Sequence, residues 1–198
     1  MKKMSLISVM LVSALSVFAG MEVVNVGSFS ASGTSALTEK FIAPDNGVIM
    51  GDALYLSATT NTTLTISKPS LSTKMEAAEA ADTSLSVYVS SSNTLNGFTL
   101  TTDDSLIVGG VKTKISTLGA YTAATHYQAI TVATAVTAAD NETIYVVDAT
   151  DDLTFPVVTS GQTALRNIFT GYRNMPVYLS LPAAGGAMVM GGTYSVLK

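Results

Sequence analysis

From Met21 to the C-terminus the chain is built of short runs in which apolar and polar residues alternate, each bounded by clusters of Gly, Asn, Asp, Ser and Thr. A period of two sends successive side chains to opposite faces, so such runs fold as strands whose apolar face must be covered. The clearest are 54–58, 62–67, 85–90, 97–101, 105–108, 129–136, 143–148, 153–158, 176–181 and 187–196. The expected fold is mainly β: an antiparallel β-sandwich or barrel-like domain. Composition agrees. Charged residues are 12% of the 198 and hydrophobic ones 47%, with 22 serines and 27 threonines. Helical bundles, coiled coils and charged disordered tails all need far more Glu, Lys and Arg.

Two turns read as hairpins: Thr59-Thr60-Asn61 and Ala138-Ala139-Asp140-Asn141, each lying between alternating runs. One short helix is expected at 71–81, where the strong helix formers of Lys74-Met75-Glu76-Ala77-Ala78-Glu79-Ala80-Ala81 follow a capping serine, Ser70 or Ser72. A second helical turn is expected at 163–170, with Ala164, Leu165, Ile168 and Phe169 at helical spacing. A single domain over 21–198 is expected, with two sub-blocks sharing one core: 21–110, ending at Gly109-Gly110, and 128–198, joined by the weakly patterned stretch 111–127. About seventy residues of β structure bury too little apolar area to stand alone.

Residues 1–20 form an apolar N-terminal arm or a signal peptide. Lys2 and Lys3 precede the apolar stretch 6–19, which ends in small residues and is too short for a stable membrane span. If kept, an arm of that kind has to be buried against protein.

The usual chemistries fail on residue supply, and the chain is not expected to be an enzyme. Without Cys there is no thiol nucleophile, disulfide or zinc–thiolate site. The lone His126 has no Asp, Glu or His at ligand spacing. Gly33-Thr34-Ser35-Ala36-Leu37 lacks the closing glycine of a nucleophile elbow, and neither Gly185-Gly186 nor Gly191-Gly192 belongs to a phosphate-binding pattern. Nucleic acid is excluded as a partner by a net charge of −4 and by only two arginines, Arg166 and Arg173. No cofactor is expected. Asp148, Asp151 and Asp152 are the candidate cation ligands, since clustered loop carboxylates suit Ca²⁺, although the loop has neither the glycine nor the distal Glu of an EF-hand.

Low charge, abundant hydroxyls and apolar ends leave assembly as the expected function, because a neutral surface costs little to desolvate. The expected assembly interface comprises Leu6, Leu11 and Phe18 of the arm and Met188, Val189 and Met190 of the C-terminal strand, which is apolar on both faces. Leu11→Asp or Val189→Asp is expected to break assembly or folding. In its composition, its turn-rich body and the run Met175-Pro176-Val177-Tyr178-Leu179-Ser180-Leu181, the chain resembles tailed-bacteriophage virion structural proteins of the head decoration or cement type. That resemblance implies a small β-rich homo-oligomer, often a trimer, located in the virion and bound to a capsid lattice. Two other readings stay open. One is a secreted or cell-surface fibre, pilus or matrix subunit, which accounts for the leader-like N-terminus. The other is a secreted carbohydrate- or calcium-dependent binding module.

Overall fold

Sixteen strands make up the regular structure of the computed structural model, which describes residues 22–159 and 163–198, and no helix occurs among the described residues. Eight strands come from the two ends of the chain. They are β1 (Val23–Gly33), β2 (Leu37–Phe41), β3 (Val48–Ala58) and β4 (Thr62–Ser67), then β13 (Asp152–Val157), β14 (Thr163–Thr170), β15 (Val177–Leu181) and β16 (Met188–Leu197). They pair antiparallel into two sheets of four, ordered β1-β16-β3-β14 and β13-β4-β15-β2. Strands β1 to β4 alternate between the two sheets, as do β13 to β16, while β4 and β13 pair within one sheet. That connectivity is a jelly roll, a two-sheet sandwich in which nearly every loop crosses from one layer to the other. Alternation within the strands fills the space between layers: Leu54 and Leu56 of β3, Leu64 and Ile66 of β4, Leu179 and Leu181 of β15, and Met188 and Met190 of β16 share one core. Phe41 ends that core, with the rings of Phe29, Tyr194 and Phe169 at 5.0, 4.6 and 6.5 Å.

The remaining strands are inserted between β4 and β13. They are β5 (Leu71–Lys74), β6 (Glu79–Tyr88), the two-residue pair β7 (Thr94–Leu95) and β8 (Phe98–Thr99), β9 (Ser105–Val108), β10 (Val111–Thr122), β11 (Tyr127–Ala138) and β12 (Thr143–Val147). Six of them form one sheet, β5-β12-β9-β10-β11-β6. Strand β10 turns the sheet back on itself, because residues 111–114 pair with β9 while 115–122 pair with β11. The two halves enclose a second core that includes Leu85, Val87, Leu106, Ile115, Ile130 and Ile144. The edge strands meet at a single β-bridge, Met75 to Val87, supported by Glu76 N–H donating to Ser86 O at 2.9 Å. The sheet curls but does not close into a barrel, and the fold class is the sandwich.

A small junction joins the two bodies. Ile107 and Val147 of the insertion pack against Tyr178 of the jelly roll, with Tyr145 beside them. Lys112 of β10 reaches across, donating to Ser67 Oγ at 3.0 Å and forming an ion pair with Asp152. Ser67 Oγ in turn donates to Asp152 Oδ1 at 2.8 Å.

Several expectations are corrected. The helix expected at 71–81 is absent: Leu71–Lys74 pairs with β12, and Met75 enters the insertion core. An eleven-residue helix whose apolar stripe is mostly alanine gains little from packing, and pairing with β12 outweighs propensity. Residues 163–170 are likewise a strand, paired with β3. Neither expected hairpin pairs its flanking runs. Residues 59–61 cross from one sheet to the other, and β11 and β12, on either side of 138–141, are not neighbours. True two-residue hairpin turns stand at Asn96-Gly97 and Gly109-Gly110, where all four residues have positive φ, the geometry of a type I′ turn. Gly109-Gly110 is therefore a turn inside the insertion rather than the end of a sub-block, and the stretch 111–127 holds β10. The arm at 1–20 lies outside the described residues.

Candidate functional site

The β1 edge and one end of the jelly roll are covered by no described strand. β1 is the outermost strand of its sheet, eleven residues long, with β16 on one side and no described strand on the other. An unpaired edge of that length presents a row of free N–H and C=O groups and is a template for another chain. At its start the alternation breaks: Val23, Val24 and Val26 are all exposed, Val26 to 63%, and Ile42, just past β2, is exposed to 70%. Val24 and Ile42 line a groove of about 400 Å³ with Asn25, Pro44, Tyr194, Val196 and Lys198. Backbone bonds between Glu22 and Lys198, at 2.7 and 2.9 Å, tie the two ends of the described chain beside it. Single exposed apolar residues are ordinary, but four of them beside a groove mark a contact surface.

The outer face of the same sheet is almost free of charge. Ser28, Thr193, Ala53 and Arg166 lie abreast across the four strands, followed by Ser30, Gly191, Tyr55 and Ala164, and then by Ser32, Val189 and Ser57. Arg166 is the only charged residue in these rows. Small and hydroxyl side chains make the face flat and cheap to desolvate.

The three C-terminal residues expected at an interface separate here. Met188 and Met190 are 1% and 0% exposed and fill the sandwich core, whereas Val189 is 44% exposed on the outer face, between Ser32 and Ser57. β16 is apolar on its inner face because it is a central strand of the sheet. Leu6, Leu11 and Phe18 lie outside the described residues. The sequence reading missed Val23, Val24, Val26 and Ile42. The adjacent Val23-Val24 pair, which places apolar side chains on both faces, was the available signal.

The acidic positions each serve a separate protein donor. Asp148 Oδ1 accepts from Thr150 N–H at 2.8 Å and Thr150 Oγ at 2.7 Å, and these bonds hold its carboxyl below the ordinary value of 3.8. Asp151 accepts from the Tyr172 hydroxyl at 2.8 Å, which raises the tyrosine pKa. Asp152 belongs to the junction with Lys112 and Ser67. Among the described residues no three His, Asp or Glu side chains gather as a metal site. Asp104 is buried and has a different role: its carboxylate accepts from Thr101 N–H at 2.8 Å, Thr101 Oγ at 3.0 Å and Ala149 N–H at 3.2 Å. It thereby pins the turn before β9 to the turn after β12. His126 sits at positive φ in the β10–β11 turn, with Nδ1 3.1 Å from the Tyr121 hydroxyl.

No protein-family model matches the chain, and no curated protein matches it. Among solved structures it is similar to VP17, a capsid protein of bacteriophage P23-77. The identity is 14% over 90% of this chain and 99% of that one, and the TM-score is 0.22. It is similar also to the VP16–VP17 complex, a complex of the two major capsid proteins of the same phage. There the identity is 12% over 88% and 99%, and the TM-score is 0.24.

Proposed function

We propose that the chain is a non-enzymatic structural protein of a virion, of the decoration, cement or minor structural type, that stabilises a protein lattice by joining copies of itself or of a shell protein. The observation that carries this reading is the exposed apolar end of the jelly roll, Val23, Val24, Val26 and Ile42, continuous with an eleven-residue edge that no described strand pairs. A neighbour laid against that edge gains main-chain hydrogen bonds and buries the valines together, which is how sheet edges recruit partners. The charge-poor outer face supplies area with Arg166 as the one charge to desolvate in those rows. The jelly roll suits the role as a rigid block, but the fold alone assigns no function.

The test is sedimentation of the purified protein beside a Val26→Asp, Ile42→Asp double variant. Both residues are exposed, so the variant is expected to keep its β-rich circular dichroism and thermal midpoint while assembly is lost. Identical sedimentation of the two proteins overturns the reading. Intact mass of the protein taken from its natural particle separates it from the secreted alternative. A chain starting at Met1 supports intracellular assembly, whereas one lacking residues 1–20 supports an exported fibre or matrix subunit.

A further inference from the structure

The seam where the inserted sheet curls back on itself holds a second groove, independent of the assembly surface. It has a volume of about 340 Å³, at the small end of the range of roughly 300–1,000 Å³ for small-ligand sites. Its wall combines both edges of the sheet: Lys74 from β5 on one side, Tyr88 from β6 and Tyr127 from β11 on the other, with Asn96 and Thr143 at the rim and buried Leu95 at the base. Tyr88 and Tyr127 face each other across the β6–β11 pair. Their rings stand 6.0 Å apart at 84°, so that they form two walls of a corner. Tyr88 is 42% exposed, and the ring of His126 lies 6.0 Å from it. Asn96 occupies the first position of the Asn96-Gly97 turn at φ 50°, which holds the residue out at the rim.

We propose that this groove binds a short acidic saccharide. A sugar ring is amphipathic: its C–H face stacks on an aromatic ring while its hydroxyls reach to the sides, and this groove offers aromatic walls with hydroxyl and amide groups around them. A free cation is excluded because no carboxylate lines the groove. The one charged residue that does is Lys74, and its ammonium selects a ring carrying a carboxylate, as in a uronic acid.

The experiment is a titration of the full chain with glucuronate-containing tetrasaccharide and with maltotetraose as the neutral contrast, followed by amide chemical shifts and by tyrosine fluorescence, the chain having no Trp. Shifts confined to the residues around Tyr88, Tyr127 and Lys74, with the acidic sugar bound more tightly, are expected. Tyr88→Ala is expected to weaken binding about tenfold, the effect of truncating a central aromatic contact. Lys74→Glu is expected to abolish the preference for the acidic sugar. Lys74 is exposed, so this variant keeps the fold and isolates the charge. Absence of shifts at the groove with both sugars, or equal affinity of wild type and Tyr88→Ala, overturns the site. An acidic preference unchanged in Lys74→Glu overturns the role of the lysine and with it the ligand class.

Discussion

Ala81 is a residue in a conformation that its side chain disfavours. It lies in β6 at φ 54°, where the register against β11 slips, and its N–H donates to Thr137 Oγ at 3.2 Å. An L-residue in that region costs roughly 1–2 kcal/mol; a glycine relieves that strain but loses part of the gain to its greater freedom in the unfolded chain. Ala81→Gly is therefore expected to stabilise the protein by up to about 1 kcal/mol, seen as a rise of a few degrees in thermal midpoint. A fall would show that the bulge is held open for another reason. Asp148 sets a second expectation. Its folded pKa is depressed, so the stability it contributes is present above 3.8 and is lost as the pH falls through the lower folded value. Asp148→Asn is expected to lose stability at pH 7 while showing less further loss on acidification below about pH 4 than the wild type, measured by urea unfolding across pH. Parallel acid profiles would remove the turn from the account.

At the scale of elements, pairing overrode local preference wherever the two competed. Met75 makes the case: it is read as part of a helix, yet it is fully buried and makes the one bridge that joins the edges of the inserted sheet. Met75→Ala is expected to cost about 2–5 kcal/mol, the range for emptying a core position, and to leave the seam looser, with faster amide exchange at Val87 than at the central Ile107. Equal exchange at both would mean that the bridge is incidental. The strands themselves were legible, because alternation in runs such as 54–58, 62–67 and 105–108 reports directly which face is covered. The pairing was not. Thr59-Thr60-Asn61 has the residues of a hairpin turn, but a corner between two layers uses the same residues, and only the distant strands β16 and β15 decide which is built. Gly109-Gly110 has a plainer signature, two glycines between alternating runs, which the structure builds as a type I′ turn with both residues at positive φ. For the candidate site, the low charge that points to assembly was legible. The surface itself depends on which side chains β16 and β2 leave exposed: the adjacent Val23-Val24 pair signals part of it, whereas Val26 and Ile42 carry no local signal.

At the scale of the molecule, two cores are held together by few contacts, and Tyr178 is at their meeting point. It is buried on β15 against Tyr145 of β12, with their ring centroids 6.3 Å apart, and Lys40 Nζ lies 5.3 Å from its ring. Burial pushes its phenol pKa well above the ordinary 10.0, and the neighbouring Tyr145 and Glu142 push it further in the same direction. With the folded value raised, the stability tied to the neutral phenol is complete below pH 10. It is lost above that, as the unfolded chain ionises and the folded one resists. Tyr172, raised by Asp151, adds to the same slope. Tyr178→Phe keeps the ring, its packing and the contact with Lys40 while removing the ionisable group. Its stability is therefore expected to match the wild type within about 1 kcal/mol at pH 7 and to fall less steeply above pH 10, measured by urea unfolding at both ends. The weak point under alkali is then the junction, since forming a phenolate there requires water between Ile107, Val147 and Tyr178. The jelly roll and the inserted sheet, each with its own core, would separate before either unfolds, and an alkaline transition that exposes the junction amides of residues 145–147 before those of β3 would show it. Alkaline slopes that match in the two proteins would place the sensitive groups elsewhere and leave the junction no weaker than the cores it joins.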